Sequence, residues 1–160
     1  MRALSLAIFS ICQHVQADDD VARCPGSYAG LEVIASVGRA KFSPNDPIPL
    51  AITVQNGSSE KIYLRPFMVP IYHWLKFKVV GPSGQLLQYT GTVVKLIDDG
   101  KDFVTLHPGY FFGRRIEDLR GWYDLTKPGR YVLRAIYGVA PMGECGDASV
   151  LSPSISFEVS

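Results

Sequence analysis

The amino-acid sequence predicts an all-β chain, an antiparallel β-sandwich of about eight or nine strands, and three observations carry that expectation. After the first seventeen residues no segment holds a sustained helical period. Glycine and proline return roughly every ten residues, and the runs between them are short and rich in β-branched and aromatic residues. Several of those runs alternate apolar with polar residues, which gives a strand one buried and one wet face.

The elements follow in order. Leu31, Val33, Ala35 and Val37 alternate along a first strand. The cluster Ser43-Pro44-Asn45-Asp46-Pro47 turns the chain, and Ile48, Leu50, Ile52 and Val54 alternate along a second strand. Asn56-Gly57-Ser58-Ser59 ends it with residues that tolerate positive φ. Ile62 to Arg65 is a short third strand. Trp74 to Val80 puts Trp74, Lys76 and Lys78 on one face and Leu75, Phe77 and Val79 on the other. Gly81-Pro82-Ser83-Gly84 leads into Leu86 to Tyr89, and the remaining strands are expected at Phe103 to Leu106, Tyr110 to Glu117, Arg130 to Val139 and Ile155 to Val159.

Two details of the later strands matter. Gly129-Arg130-Tyr131 opens a strand in the manner of a tyrosine corner, with the ring packed inward and its hydroxyl bonded to the preceding loop. In the strand after Pro108-Gly109, Arg114 falls between the inward residues Phe112 and Ile116. A bulge at Gly113 that turns Arg114 to solvent is the expectation. The alternative is a buried cation paired with Glu117 or Asp118.

Residues 1–17 have the anatomy of a secretory signal peptide: Arg2, the apolar run Ala3 to Cys12, and Val15-Gln16-Ala17 before the expected cleavage point. The run is too short to span a membrane. The expectation is therefore a secreted or periplasmic protein in which residues 18–160 form a single domain. Removing residues 1–17 takes away Arg2 and no acid, so fifteen basic residues face fifteen acidic ones. A neutral chain without a basic run offers no electrostatic drive toward nucleic acid or a membrane surface.

Cys12 leaves with the signal segment, so Cys24 and Cys145 remain. In an exported domain a disulfide between them is the simplest expectation, with two reduced thiols as the alternative. Closing so long a loop contributes roughly 4–5 kcal/mol on the chain-entropy view.

A set of landmarks recurs in order: an Asn closing the second strand (Asn56), Phe77-Lys78-Val79 before a glycine turn, and Tyr89-Thr90-Gly91 followed by Lys95. Asp102-Phe103-Val104-Thr105-Leu106 then leads to Pro108-Gly109, with Tyr123-Asp124-Leu125 and Gly129-Arg130-Tyr131 beyond. From about Leu31 to Val159 the chain thereby resembles the N-terminal prodomain of deuterolysin-type (peptidyl-lysine) zinc metallopeptidases, standing alone without the catalytic domain. The resemblance implies an immunoglobulin-like β-sandwich that accompanies a secreted zinc protease and assists its folding or latency. The family's catalytic zinc site requires two histidines four apart on a helix. Here His73 and His107 stand far apart and in no such motif. No metal, no cofactor and no catalysis are expected.

Other enzyme signatures, such as a G-x-S-x-G elbow or a phosphate-binding glycine loop, do not occur. The Asp98-Asp99-Gly100-Lys101-Asp102 run reads as a solvated turn. The segment Arg65 to Trp74 is stiffened by Pro66 and Pro70 and rich in apolar side chains. Phe67, Met68, Ile71, Tyr72 and Trp74 are the candidate contacts for a protein partner, the alternative being that they plug one end of the core. Tyr110-Phe111-Phe112 and Trp122-Tyr123 form a second candidate. A consecutive Tyr-Phe-Phe puts at least one ring outward on a regular strand, so Phe111 and Trp122 could form an aromatic platform for a sugar or peptide; shielding of a sheet edge is the alternative. The expected function is an exported, non-catalytic protein-binding module, either a protease inhibitor or a folding assistant. A cell-envelope or carbohydrate-binding module stands second, and an enzyme with a hidden site third.

Overall fold

The structure is a computed structural model and describes residues 28–64, 68, 74–92, 104–139 and 149–160. Residues 1–17, Cys24, Cys145, Phe67, Ile71, Tyr72, Lys95 and Phe103 lie outside the described residues. The described chain is all-β, with ten strands and a 3₁₀ turn at Leu119–Gly121. In order the strands are β1 (Leu31–Val37), β2 (Lys41–Phe42), β3 (Leu50–Asn56), β4 (Ile62–Leu64) and β5 (Leu75–Val80). Then come β6 (Val104–Leu106), β7 (Phe111–Ile116), β8 (Gly129–Gly138), β9 (Ser149–Leu151) and β10 (Ile155–Val159).

The strands form a three-stranded sheet, β1-β3-β7, a five-stranded sheet, β2-β10-β8-β5 with β9 also on β8, and a β4-β6 pair. Their apolar alternation explains the arrangement. Leu31, Val33 and Ala35 of β1 and Leu50, Ile52 and Val54 of β3 are buried on one side of the first sheet. Tyr131, Leu133, Ala135 and Tyr137 of β8, with Phe157 and Val159 of β10, are buried on one side of the second. All of these belong to one hydrophobic cluster, together with Ile62, Leu64 and Leu106. Period-two alternation thus gives each sheet an inner face, and the two inner faces share a core.

Pairing is antiparallel throughout except between β2 and β10, which run parallel. The chain leaves the first sheet after Val37 and joins the second at Lys41, beside the final strand; Glu158 N–H donates to the Ala40 carbonyl and Ser160 N–H to that of Phe42. Phe42 is buried edge-on against Phe157, so this crossing closes one side of the core. β9 and β10 share the same flank of β8, and Ser152 bridges the break between them. Its hydroxyl accepts from Ala135 N–H at 2.9 Å, while its own N–H donates to the Ala135 carbonyl.

Several expectations change at this level. Leu86 to Tyr89 is not a strand; it contributes a single bridge, Val80 to Leu86, before Tyr89 turns toward Trp122. β2 and β9, at two and three residues, were too short to produce a readable alternation. β7 pairs with β3 without an inserted residue, Gly113 opposite Thr53 and Arg114 opposite Ile52, so the expected bulge is absent. Gly113 is needed for another reason: a Cβ there would run into the Ile52 carbonyl oxygen. Arg114 occupies an inward register position yet is exposed, because β7 ends its sheet and the long side chain leaves past the edge. Its guanidinium donates to the Met68 carbonyl at 3.1 Å. Neither proposed carboxylate serves it: Glu117 pairs with Arg115, and Asp118 accepts from the Ile48 and Arg120 N–H groups.

The tyrosine corner is present. Tyr131 is buried, lies flat on Phe157, and donates its hydroxyl to the Lys127 carbonyl at 2.6 Å. It anchors the loop that delivers the chain into β8.

Candidate functional site

Alternation along β3 places Asn56 on the inner face after Leu50, Ile52 and Val54, and it is fully buried. A buried amide must find partners for two donors and two acceptor positions. Asn56 finds all four. Its Nδ2 donates to the carbonyls of Glu60 at 2.7 Å and Leu106 at 2.8 Å. Its Oδ1 accepts from the Ser58 N–H at 2.9 Å and the Ser58 hydroxyl at 2.6 Å. Its backbone adds two more bonds, donating to the Tyr110 carbonyl and accepting from Gly109 N–H.

One side chain therefore ties the β3–β4 turn to the β6–β7 turn. In the second of these, Tyr110 N–H closes on the His107 carbonyl at 3.0 Å across Pro108 and Gly109, and Gly109 sits at φ +76°. Pro at the second position and a positive-φ Gly at the third define a type II turn. What this fixed turn presents is aromatic. Tyr110 and Phe111 are 66% and 68% exposed, the two most exposed large apolar side chains among the described residues. The His107 ring lies 5.7 Å from that of Tyr110. Phe112 points the other way and packs edge-on against Tyr137.

Register extends the surface. Phe111 stands across from Gln55 and Glu32, while Gly113 shares its row with Thr53 and the exposed Ile34. Arg115 completes the outward positions of β7, beside a shallow depression of about 100 Å³ lined also by Ser36, Gly38, Pro49 and Ala51. Small-molecule sites typically enclose 300–1,000 Å³, and this depression falls short of that range.

The second member of the predicted platform lies elsewhere. Trp122 is half-buried and stacks on Phe77 with ring centroids 6.1 Å apart, with Tyr89 at 6.3 Å. Its carbonyl accepts from the Thr90 N–H and hydroxyl. Tyr123, beside it, is buried and donates to the Phe77 carbonyl; burial, with the Tyr89 phenol as a lesser cause, pushes its pKa up to about 12. Trp122 thus seals the open side of β5, and the structure does not bring it together with Phe111 into one platform. The expectation of at least one outward ring in Tyr110-Phe111-Phe112 holds, with two of the three exposed.

The predicted partner loop is corrected where the structure describes it. Met68 and Trp74 are both buried, at 8% and 6% exposure, and Met68 belongs to the main core. The Trp74 carbonyl accepts from Gly138 N–H at 2.8 Å. β5 begins at Leu75, so Trp74 precedes the strand and does not share the exposed face of Lys76 and Lys78. These two side chains plug the core.

Among the described residues no group of three or more His, Cys, Asp or Glu side chains could hold a metal ion, and no helix is long and apolar enough to cross a membrane. No family model matches this chain, and no curated protein matches it. Solved structures to which the chain is similar include the alkylpurine DNA glycosylase AlkC of Pseudomonas fluorescens, bound to DNA containing an abasic site analog, at 14% identity and a TM-score of 0.41. The β-glucosidase EmGH1 of Erythrobacter marinus is similar at 14% identity and 0.40, and AvmM, which catalyzes macrocyclization in Alchivemycin A biosynthesis, at 13% and 0.40. Each alignment covers 81% of this chain, but 30% of the glycosylase, 16% of the glucosidase and 88% of AvmM.

Proposed function

We propose that this chain is an immunoglobulin-like β-sandwich that works as an exported protein-binding module, with a secreted metallopeptidase as its partner class and inhibition or folding assistance as its role. The sheet orders support the fold assignment. β1-β3-β7 against β5-β8-β10 has the partition of an immunoglobulin-type domain, and Tyr131 stands at the corner where such domains carry their tyrosine. The observation that carries the binding reading is the pair Tyr110 and Phe111, held exposed on a turn that Asn56 fixes from below. Rings carried on a backbone already fixed before contact cost less ordering on binding, which is the property of an anchor.

The test is binding and inhibition of a purified deuterolysin-type zinc peptidase. Wild-type protein should bind it, and the Tyr110→Ser, Phe111→Ser double variant should lose at least tenfold in affinity while melting at the same temperature. Equal binding by the double variant removes the aromatic turn from the interface. No binding to any such peptidase removes the partner class. A glycan array addresses the carbohydrate alternative, which requires a signal that the same double variant abolishes.

A further inference from the structure

We infer that the outer face of the five-stranded sheet is a second docking surface, one that takes an acidic protein segment. Although the whole chain is almost neutral, this face is not. Alternation puts Lys76 and Lys78 of β5, and Arg130 and Arg134 of β8, on the side away from the core, and Lys41 of β2 joins them; all five are exposed. Among the described residues the one carboxylate on this face is Glu158, and it pairs with Lys41 at 3.3 Å.

Register makes the clustering costly. Lys78 lies directly across from Arg134, and Lys76 is two residues along the same face. Like charges opposed across a strand pair destabilise a sheet. Glu158 stands between Lys41 and Arg130 in the register, so the uncompensated cations among the described residues are Lys76, Lys78 and Arg134. Arg134 is held in place without being neutralised: its Nε and Nη2 donate to the Ser154 hydroxyl at 3.2 and 3.0 Å, while Arg130 Nη2 reaches that of Ser156 at 3.4 Å. Their acceptors are hydroxyls where a purely structural pair would use a carboxylate.

The occupant follows from what lies between the cations. Val80 is opposite Val132, and Ile136 is flanked by Lys76 on one side and Leu151, 47% exposed, on the other. An apolar strip bordered by Lys76, Lys78 and Arg134, which face no carboxylate among the described residues, has the layout of a protein–protein interface with an electrostatically complementary partner. Single-stranded nucleic acid would call for stacking rings, and no aromatic side chain occupies an outward position of this face among the described residues. Along β5 the two lysines repeat at roughly 6.8 Å, the same spacing as alternate carboxylates of an extended acidic strand.

Fluorescence anisotropy with a short labelled poly-L-glutamate peptide tests this, with heparin and phosphatidylserine vesicles as competitors. Wild-type protein should bind the peptide with an affinity that falls steeply with salt. The Lys78→Ser, Arg134→Ser variant should bind roughly tenfold more weakly and melt at the wild-type temperature or above it, since an opposed pair of like charges is gone. Arg115→Ser, on the other sheet, should leave peptide binding unchanged. Tyr110→Ser with Phe111→Ser should also leave it unchanged, so that the aromatic turn and the cationic face succeed or fail separately. No peptide binding, equal binding by the serine variant, or displacement by heparin or vesicles well below equivalent peptide charge overturns the proposal.

Discussion

Two segments of this chain are conspicuous for their apolar side chains, and the described residues of each meet opposite fates. Arg65 to Trp74 carries more apolar residues, yet Met68 and Trp74 are buried, whereas His107 to Phe111 is shorter and puts two rings into solvent. Composition does not separate the two cases. Backbone constraint does: a type II turn bonded to Asn56 starts β7 at Phe111, and from there alternation sends Phe111 outward and Phe112 inward. Met68 has its carbonyl bonded by Arg114 while its side chain enters the core. Where aromatic residues face is decided by where the strand begins.

Substitutions at these sites should widen or collapse that contrast. Trp74→Ala should cost the most, about 3–5 kcal/mol of stability in urea denaturation, as a large ring leaves a buried site. A loss below about 1 kcal/mol would return Trp74 to the surface and dissolve the distinction. Asn56→Ala comes next at about 2–3 kcal/mol, because the buried Leu106 carbonyl loses its donor and the Ser58 turn its acceptor. It should also loosen the aromatic turn, which nuclear magnetic resonance would register as lost chemical-shift dispersion and faster hydrogen exchange at the Gly109 and Tyr110 amides.

Alkali probes the buried side through its phenols. Burial raises the Tyr123 pKa to about 12 and pushes Tyr137 up further still, with the Tyr28 phenol as a lesser cause for the latter. Both must stay neutral in the folded state but ionise near pH 10 when unfolded. Their contribution is therefore complete below about pH 10 and disappears as pH rises through about 12. Urea midpoints should be level near neutrality and decline across that window; a flat profile would mean that these rings are reached by water in the native state. Tyr131→Phe should cost about 1 kcal/mol, the worth of the bond to Lys127. Phe111→Ser should change stability by less than about 0.5 kcal/mol, the smallest effect of the set, and a larger loss would show that its exposed ring supports the fold.

Much of the architecture could be read in advance from residues whose partners are close in sequence or whose face is set by alternation. β1 and β10 coincide with their expected ranges, and Tyr131 bonds a carbonyl four residues before it. The sequence marks Asn56 only as the residue that closes the second strand. The structure continues the inward positions of Leu50, Ile52 and Val54 to it, and a buried amide demands partners. That reasoning stops short of naming Leu106, fifty residues away. Phe111 and Trp122 are both aromatic and only eleven positions apart, but a 3₁₀ turn at Leu119–Gly121 carries Trp122 over to Phe77.

The cationic sheet face marks the division most clearly. That Lys76 and Lys78 share one side of their strand, and Arg130 and Arg134 one side of theirs, follows from period two alone. That the two strands are neighbours, with Lys78 opposite Arg134, does not, because β5 and β8 are separated by nearly fifty residues of chain. Side-chain alternation is a local property of an extended backbone. Which strands pair, and in what register, is settled by how the two inner faces fit over a common core.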